Sequence, residues 1–389
     1  MRLLLLGSGS YKSSLTYFRL VSLGRHLAIL GWDVSLVVPS ADKYNDFTPD
    51  PQAHIPGITV VQPWQPATRN MFVNLIPYLL TALVATLRIR PALVYLYKPT
   101  PVTIIGLVPH ILFRAPLVLD LDDLGSEVMR LEGRSRLEVA LVARCERLAL
   151  RYSSAVVVTS TYLYDLVRKQ YPAKPIILLS NGVEPAAYNM PPRQKLRPYL
   201  YYFGALNRLS LIETFLRSLP QVFRAVPEAS VCIMGGGSAL DAAKRLVEEL
   251  GIAVNVTFTG WTDKDAIKQY VQFGDIALCV QPDTPSVRAA SNLKVFQYMA
   301  MASVPVVSDV GDLPMYVGSG PGSAGVVVAS DSEGELSRTI IHLLTHEKAR
   351  IRMALAARQK AETDYAWSTL AARLNAFLAG PVMGDREKV

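Results

Sequence analysis

Cysteine is scarce in this 389-residue chain: Cys145, Cys232 and Cys279 stand far apart, in apolar or helical surroundings. No disulfide framework or cysteine-based metal site can be built from them, so reduced thiols are expected. The five histidines are scattered, and none is read as a ligand pair. Low-complexity tracts are missing, and half of the residues are hydrophobic, which excludes a disordered chain. Runs long enough for a bilayer are missing too. Met71–Leu87 is apolar apart from Asn74, but it is short for a span and Pro77 is expected to interrupt it. Val102–Phe113 is shorter still. The opening Met1–Leu6 is too brief for a signal peptide and reads as a buried strand.

What is present is length and basic charge. The length points to two domains rather than one core. The net charge of +8 is uneven: residues 1–180 hold 19 Lys/Arg against 12 Asp/Glu, residues 181–389 hold 21 against 20. A basic first half favours an anionic membrane surface or nucleic acid. No zinc pattern or ribonucleoprotein-type aromatic motif supports nucleic acid, so a membrane surface is the better partner. Arg69, Arg88 and Arg90 flank the Met71–Leu87 run, which reads either as a buried helix or as a face dipping into the membrane interface.

The first half alternates strands and helices, the signature of a parallel sheet covered on both faces. Expected are strands at Leu3–Leu6, Asp33–Val38, Leu117–Leu119, Ala155–Thr159 and Ile176–Leu179, with helices over Leu15–Leu30 and Glu127–Tyr152. The loop Gly7-Ser8-Gly9-Ser10 leaves the first strand at its carboxyl edge, where open sheets bind ligands, and makes Gly9 and Ser10 candidates. Leu117–Leu119 runs into Asp120-Leu121-Asp122-Asp123. Clustered acids repel, so their placement at a strand end points to use, with helix capping as the alternative. The arginines of 127–152 are expected to pair with Glu132, Glu138 and Glu146 on a solvated face.

Pro185–Pro198 carries four prolines and marks a domain boundary. The alternation then restarts. Tyr199–Phe203 leads into Gly204-Ala205-Leu206-Asn207-Arg208, and Ser230–Met234 into Gly235-Gly236-Gly237-Ser238, a loop that admits close backbone approach. Val256–Thr259 meets Gly260-Trp261. Ser291-Asn292-Leu293-Lys294-Val295-Phe296-Gln297-Tyr298-Met299-Ala300 reads as a turn and a short helix before the strand Val304–Ser308. A helix N-terminus there offers free N–H groups to a phosphate, Lys294 adds a full charge, and Gln297 lies one turn on, within reach of sugar or ribose hydroxyls.

This last stretch resembles the donor-binding helix of the retaining family 4 glycosyltransferases, Pro-x-Lys-x-x-Glu-Tyr-Met-Ala-x-Gly-x-Pro-Val-Val. Gln297 stands at the Glu position, Ala302-Ser303 fills the Gly position with one extra residue, and Ala289 lies where an earlier Glu is expected. Asn181-Gly182-Val183-Glu184 resembles the motif that closes the first domain, and Asp122 takes a position often held by histidine. Ala205 replaces the usual arginine of a Gly-Arg-Leu turn, with Arg208 three positions on. Gly260-Trp261 resembles the base-binding turn, and Ala366-Trp367-Ser368 the terminal helix that crosses back.

The resemblance implies the GT-B arrangement: two Rossmann-like domains facing a cleft, 1–184 for the acceptor and 199–364 for the nucleotide-diphospho-sugar. Residues 185–198 link them, and a helix over 365–380 returns to the first domain. It implies sugar transfer with retention of configuration and needs no metal and no cofactor. Asp122 would face the sugar. Gly204, Asn207, Arg208, Gly235, Gly236, Gly260, Trp261, Asn292, Leu293, Lys294 and Gln297 would hold the donor. Together with the basic, apolar first half, it implies a lipid-linked or glycolipid acceptor at the inner face of the cell membrane. The rival reading is a non-catalytic relative acting as a partner subunit, since Ala205, Ala289 and Gln297 remove polar donor contacts. A sugar-nucleotide epimerase of the same fold would need no basic, apolar first domain.

Overall fold

The computed structural model describes residues 1–7, 17–38, 55–61, 71–131, 133–188, 199–207, 210–262, 267, 270–271 and 274–384. Gly9, Ser10 and Arg208 lie outside this set, as do Glu132 and most of the proline-rich segment.

The residues cluster into two compact units. One comprises Met1–Ser180, Ala289–Ser291 and the chain from Trp367; the other comprises Asn181–Arg288 and Asn292–Ala366. The first holds a seven-stranded parallel sheet of β1 (Arg2–Leu6), β2 (Asp33–Val37), β3 (Ile58–Val61), β4 (Leu93–Tyr97), β5 (Leu117–Leu121), β6 (Ala155–Val158) and β7 (Ile176–Leu178). Its spatial order is β3-β2-β1-β4-β5-β6-β7. Leu3–Leu6 pair with Val34–Val37 on one side and with Leu93–Leu96 on the other, so every central strand is buried on both faces. That is why these strands read as near-continuous Leu/Val runs rather than as alternations.

The second unit repeats the plan with β8 (Leu200–Phe203), β9 (Val231–Met234), β10 (Val256–Gly260), β11 (Ile276–Cys279), β12 (Val304–Ser308) and β13 (Val326–Val328), in the order β10-β9-β8-β11-β12-β13. In both sheets the order reverses beside the first strand, at β1/β4 and at β8/β11. Such a switch point opens a crevice at the carboxyl ends of the strands.

The helix Trp367–Phe377 belongs to the first unit. It packs on the helix Ser22–Ile29, burying Trp367, Leu370, Ala371 and Leu374, and Trp32 Nε1 donates to Asn375 Oδ1 at 2.7 Å.

Several elements depart from the sequence reading. The expected helix over 127–152 is two helices, Gly125–Leu131 and Arg136–Tyr152. Gly133 between them has φ +73°, a conformation a helix cannot continue through, and Ser135 restarts the chain with a capping box to Glu138. Two of the acids assigned to arginine pairing feel Arg134 and Arg147 but take other hydrogen-bond partners: Glu138 accepts from the Ser135 N–H and hydroxyl, and Glu146 from the Ser126 N–H and hydroxyl. Pro77 does not interrupt its helix, which runs over Met71–Ile89; a proline removes one backbone bond, and the remaining turns persist. The first long helix is a wide π turn over Tyr17–Val21 followed by Ser22–Ile29. His342 and His346 are also not scattered, since they lie one helical turn apart with ring centroids 4.0 Å from each other.

Candidate functional site

In the second unit, the loops leaving β8, β9 and β10 lie against one another. Gly204 N–H donates to Met234 O at 2.9 Å, and Leu206 N–H to Gly236 O at 2.9 Å. A Cβ on Gly235 would stand 1.9 Å from Gly204 O, and one on Gly237 2.4 Å from Leu206 O. Gly235 and Gly237 have φ of +152° and +141°, so both backbone shape and space demand glycine there. Trp261, 72% exposed, lays its indole beside Gly236, where a Cβ would meet Nε1 at 2.8 Å. The carbonyl of Asn207 accepts from the Ser210 hydroxyl at 2.7 Å. The sequence candidates Gly204, Asn207, Gly235, Gly236, Gly260 and Trp261 therefore share one sheet edge.

The helix Leu293–Ala300 brings the remaining candidates of this unit. Its N-cap is Asn292, in extended conformation; its side chain makes no cap bond, and its backbone carbonyl accepts from the Val295 N–H at 3.1 Å, so the N–H groups of Leu293 and Lys294 receive no help from it. The Lys294 ammonium reaches back across the switch point. It donates to Tyr202 Oη at 3.2 Å, lies 4.5 Å from that ring's centroid, and sits 3.3 Å from where a Gly204 Cβ would be. Among the described residues no carboxylate forms an ion pair with it. Burial acts to lower its pKa, but Tyr202 and Cys279 outweigh burial, and the group titrates above the ordinary lysine value. A cation with no acid partner among the described residues, beside the N–H groups of a helix N-terminus, can attract an anion.

Gln297, one turn further on, donates from Nε2 to Tyr188 Oη at 2.8 Å. Tyr188 ends a short 3₁₀ turn, Pro185–Tyr188, whose carbonyls at Pro185 and Tyr188 accept from Arg358 Nη1 at 3.2 and 3.4 Å. The same Arg358 nitrogen donates to Ala300 O at the end of the Leu293–Ala300 helix. Ala289, at the position of the expected earlier acid, is fully buried, and its carbonyl accepts from Ser160 Oγ at 2.9 Å.

In the first unit, the acid cluster is neutralised by partners that sequence reasoning missed. Asp120 is fully buried and held by Arg19, with Nε to Oδ2 at 2.7 Å and Nη2 to Oδ1 at 3.0 Å, and by Tyr95 Oη at 2.6 Å. Arg19 also donates to Ser180 O at 3.0 Å and to Leu179 O at 3.1 Å. Burial pushes the Asp120 carboxyl above its ordinary value even against the pull of Arg19. Burial likewise opposes the Arg19 charge most strongly, but Asp120, Tyr95 and Asp122 together outweigh it and raise the guanidinium above its ordinary value. Asp122 accepts from Tyr97 Oη at 2.8 Å and meets Lys98 Nζ at 3.4 Å; its backbone carbonyl accepts from Thr159 Oγ1 at 2.8 Å. Asp123 takes Lys98 at 2.5 Å instead of serving only as a cap. Lys98 is in the left-handed region, φ +53°, a strained placement for a non-glycine residue at a strand end. Its position straight after the strand, ahead of Pro99-Thr100-Pro101, was the one available signal. Among the described residues no group of three or more His, Cys, Asp or Glu side chains is disposed to hold a metal ion.

The molecule matches known proteins in both units. Residues 18–182 match the family model described as "Glycosyl transferase 4-like domain", and residues 197–346 the one described as "Glycosyl transferases group 1". A curated relative, the GDP-mannose-dependent alpha-(1-6)-phosphatidylinositol monomannoside mannosyltransferase of Mycobacterium tuberculosis, is 29% identical over 170 residues. That match takes in 43% of this chain and 44% of the relative, so it spans less than half the length of the curated protein. Among solved structures, sucrose-phosphate synthase from Thermosynechococcus elongatus aligns with a TM-score of 0.72 at 17% identity, covering 97% of this chain and 98% of that one. HepE of Anabaena, in complex with UDP and glucose, aligns with a TM-score of 0.72 at 18% identity, covering 97% and 99%. Identities this low speak for a shared fold. The two family models fall one on each sheet and together take in most of the molecule, and the chain belongs to the family 4 glycosyltransferases of GT-B fold.

Proposed function

We propose that this protein transfers a hexosyl group from a nucleotide-diphospho-sugar to a lipid-linked or glycolipid acceptor, with retention of configuration. The observation that carries the donor half is Lys294: an ammonium with no acid partner among the described residues, at the switch point and beside a helix N-terminus that no side chain caps. As the bond to the sugar breaks, the leaving diphosphate gains charge, and donors already in place stabilise it without reorganising. Lys294 and the first-turn N–H groups supply that role, so activity is expected to survive a chelator. Trp261 beside Gly236 offers a flat surface to the base, and Asp122 is the acid we assign to the transfer step. GDP-mannose is the first donor to test, because the curated relative is named for it, with UDP-sugars second.

The lipid half rests on the first unit. Along the helix Met71–Ile89, Ile76, Leu80 and Val84 are exposed at intervals of four, in line with exposed Arg88. Ile111, Leu112 and Phe113 are also exposed, on the helix Leu107–Phe113 that contacts it, and Arg114 follows them. No helix among the described residues is long and apolar enough to cross a membrane. The pattern suits peripheral contact with an anionic surface, which would place the protein at the inner face of the cell membrane.

A non-catalytic role has its own support in Ala205, Ala289 and Gln297, which stand at three positions where the family resemblance expects a charged side chain. Calorimetry with GDP and UDP, then transfer of labelled sugar from GDP-mannose to a membrane lipid extract, separates the readings. Binding with transfer, and an α-linked product by NMR, supports the proposal. Binding without transfer to any lipid supports the non-catalytic role.

A further inference from the structure

His342 and His346 belong neither to the donor loops nor to the Asp122 cluster. They stand four residues apart, a spacing that puts two side chains on one helix face, one turn from each other. The helix Glu333–Thr345 carries His342 in its last turn. His346 is the single residue between that helix and the next, Glu347–Thr363, so it closes one and opens the other. Both side chains are exposed. Their rings lie nearly parallel, with 27° between the planes and 4.0 Å between the centroids.

The contacts of His346 fix its tautomer. Nδ1 lies 2.9 Å from the carbonyl oxygen of His342. A carbonyl can only accept, so Nδ1 carries a proton. Thr345 Oγ1 stands 3.0 Å from the same nitrogen and donates to Ile341 O at 2.8 Å, which leaves it a lone pair for the Nδ1 proton. In the neutral ring the free lone pair is therefore on Nε2, which takes no hydrogen bond among the described residues. The His342 ring nitrogens take none there either. A metal-bound imidazole ordinarily has this arrangement, one nitrogen on the ion and the other held by a carbonyl. Zinc–imidazole bonds are about 2.0–2.1 Å long, so two of them span about 4 Å at most, and the rings already stand that close. The exposed His342 ring can tilt toward a shared ion without giving up a partner. Among the described residues no third His, Cys, Asp or Glu joins the pair, so water would complete the coordination.

We propose that His342 and His346 form a two-imidazole site for one divalent transition-metal ion, of the zinc, nickel or copper class, and that the ion clips the junction of the two helices. Ligation runs from the last turn of one helix to the residue that starts the next. An ion bound by the folded chain alone stabilises it by mass action. Hard ions such as Mg²⁺ demand oxygen ligands, which the pair does not offer. The site stands apart from sugar transfer and does not rest on the donor-site reading.

The test uses the full chain without an affinity tag at about pH 7.5, where an ordinary imidazole is mostly neutral. Zn²⁺ and Ni²⁺ are the probes, with Mg²⁺ as the control. Calorimetry is expected to show a Zn²⁺ or Ni²⁺ site that His342→Gln and His346→Gln each weaken by at least about tenfold, the lower end of what losing even a group that supports a ligand costs. Zn²⁺ should raise the melting temperature of the wild type and leave that of H342Q unchanged. H342Q keeps an exposed polar side chain of similar size, and its melt without metal checks folding. Electron paramagnetic resonance of the Cu²⁺-loaded chain should show coupling to two imidazole nitrogens, and to one in H342Q. Metal binding that survives both substitutions belongs to other groups, and Mg²⁺ binding as strong as that of Ni²⁺ is non-selective surface attraction; either result overturns the site. So does a wild-type chain that takes up no metal. Binding through both rings without any rise in melting temperature overturns the clip.

Discussion

Lys98 Nζ lies 2.5 Å from Asp123 and 3.4 Å from Asp122, so one ammonium serves two neighbouring carboxylates unequally. Asp123 receives the short contact. Asp122 keeps the long one and takes a neutral hydroxyl, Tyr97 Oη, at 2.8 Å. Asp122 is the more buried of the two. A buried carboxylate at a strand end beside a strained backbone position is a candidate for chemistry.

Asp122→Asn tests that reasoning. The amide keeps the shape and can still accept from Tyr97, so the fold is expected to persist. Only the charge is lost. Turnover should fall roughly 10²–10³-fold, the scale of removing one electrostatic contributor to a transition state. Nucleotide affinity should stay within about threefold, since the nucleotide candidates belong to the other unit. Single-turnover rates beside calorimetric affinities make the comparison. A variant with full turnover would leave Asp122 as a structural acid.

Arg19 is expected to matter for stability instead. Arg19→Met leaves Asp120 buried with Tyr95 alone, an uncompensated charge costing about 3–5 kcal/mol. Adding Asp120→Asn removes that charge and should recover part of the loss. Urea denaturation of the two variants and the wild type provides the measurement. Additive losses in the double variant would mean that the pair is not coupled.

These two acids show how far the sequence could be read. Their placement at a strand end was legible, because a Leu/Val run ending in Asp-Leu-Asp-Asp announces a buried strand meeting a polar edge. Asp120 itself lies inside β5, not beyond it. Its partner Arg19 is 101 residues away, and nothing local distinguishes Arg19 from any arginine on a helical turn. Tyr188 and Gln297, 109 residues apart, are the same case. Lys294 was legible because helix, cation and following strand are contiguous in the chain. Burial of the pairs could not be read, since partner choice across a sheet is settled by packing rather than by propensity. The break at Gly133 was legible in principle: Gly-Arg-Ser before Leu-Glu is a stop followed by a capping box.

Lys294→Ala is expected to weaken nucleotide-diphosphate binding by about 1.5–3 kcal/mol, the worth of a charge-assisted contact. The pH dependence carries a second signature. The Lys294 pKa is raised in the folded chain, so the charge is complete below the ordinary lysine value and is lost only above it. Wild-type affinity should therefore stay level from pH 7.5 to about 9.5. Calorimetry across that range checks it. A steady decline over the window that K294A abolishes would mean that the ammonium is titrating early and that its surroundings are misread.

The membrane proposal yields the most quantitative expectation. Seven excess positive charges spread over residues 1–180 bind an anionic surface weakly, because each contributes about 1 kcal/mol only when it lies within a Debye length of about 8 Å. The exposed stripe Ile76–Leu80–Val84 and the neighbouring Ile111–Phe113 supply what charge cannot, at about 25 cal/mol for each Å² of apolar surface withdrawn from water. The two contributions respond differently to salt. Charge attraction is screened, while insertion is not, so co-sedimentation with phosphatidylglycerol-containing liposomes should fall but persist at 1 M salt. Pure phosphatidylcholine liposomes should retain only the residual, salt-insensitive part. Leu80→Glu with Val84→Glu places two charges on the exposed face without touching the core, so folding should be unaffected. That variant should lose the salt-resistant fraction and keep the salt-sensitive one. If the wild type stays in the supernatant with both lipid compositions, the stripe is an ordinary exposed surface and a soluble acceptor becomes the better reading.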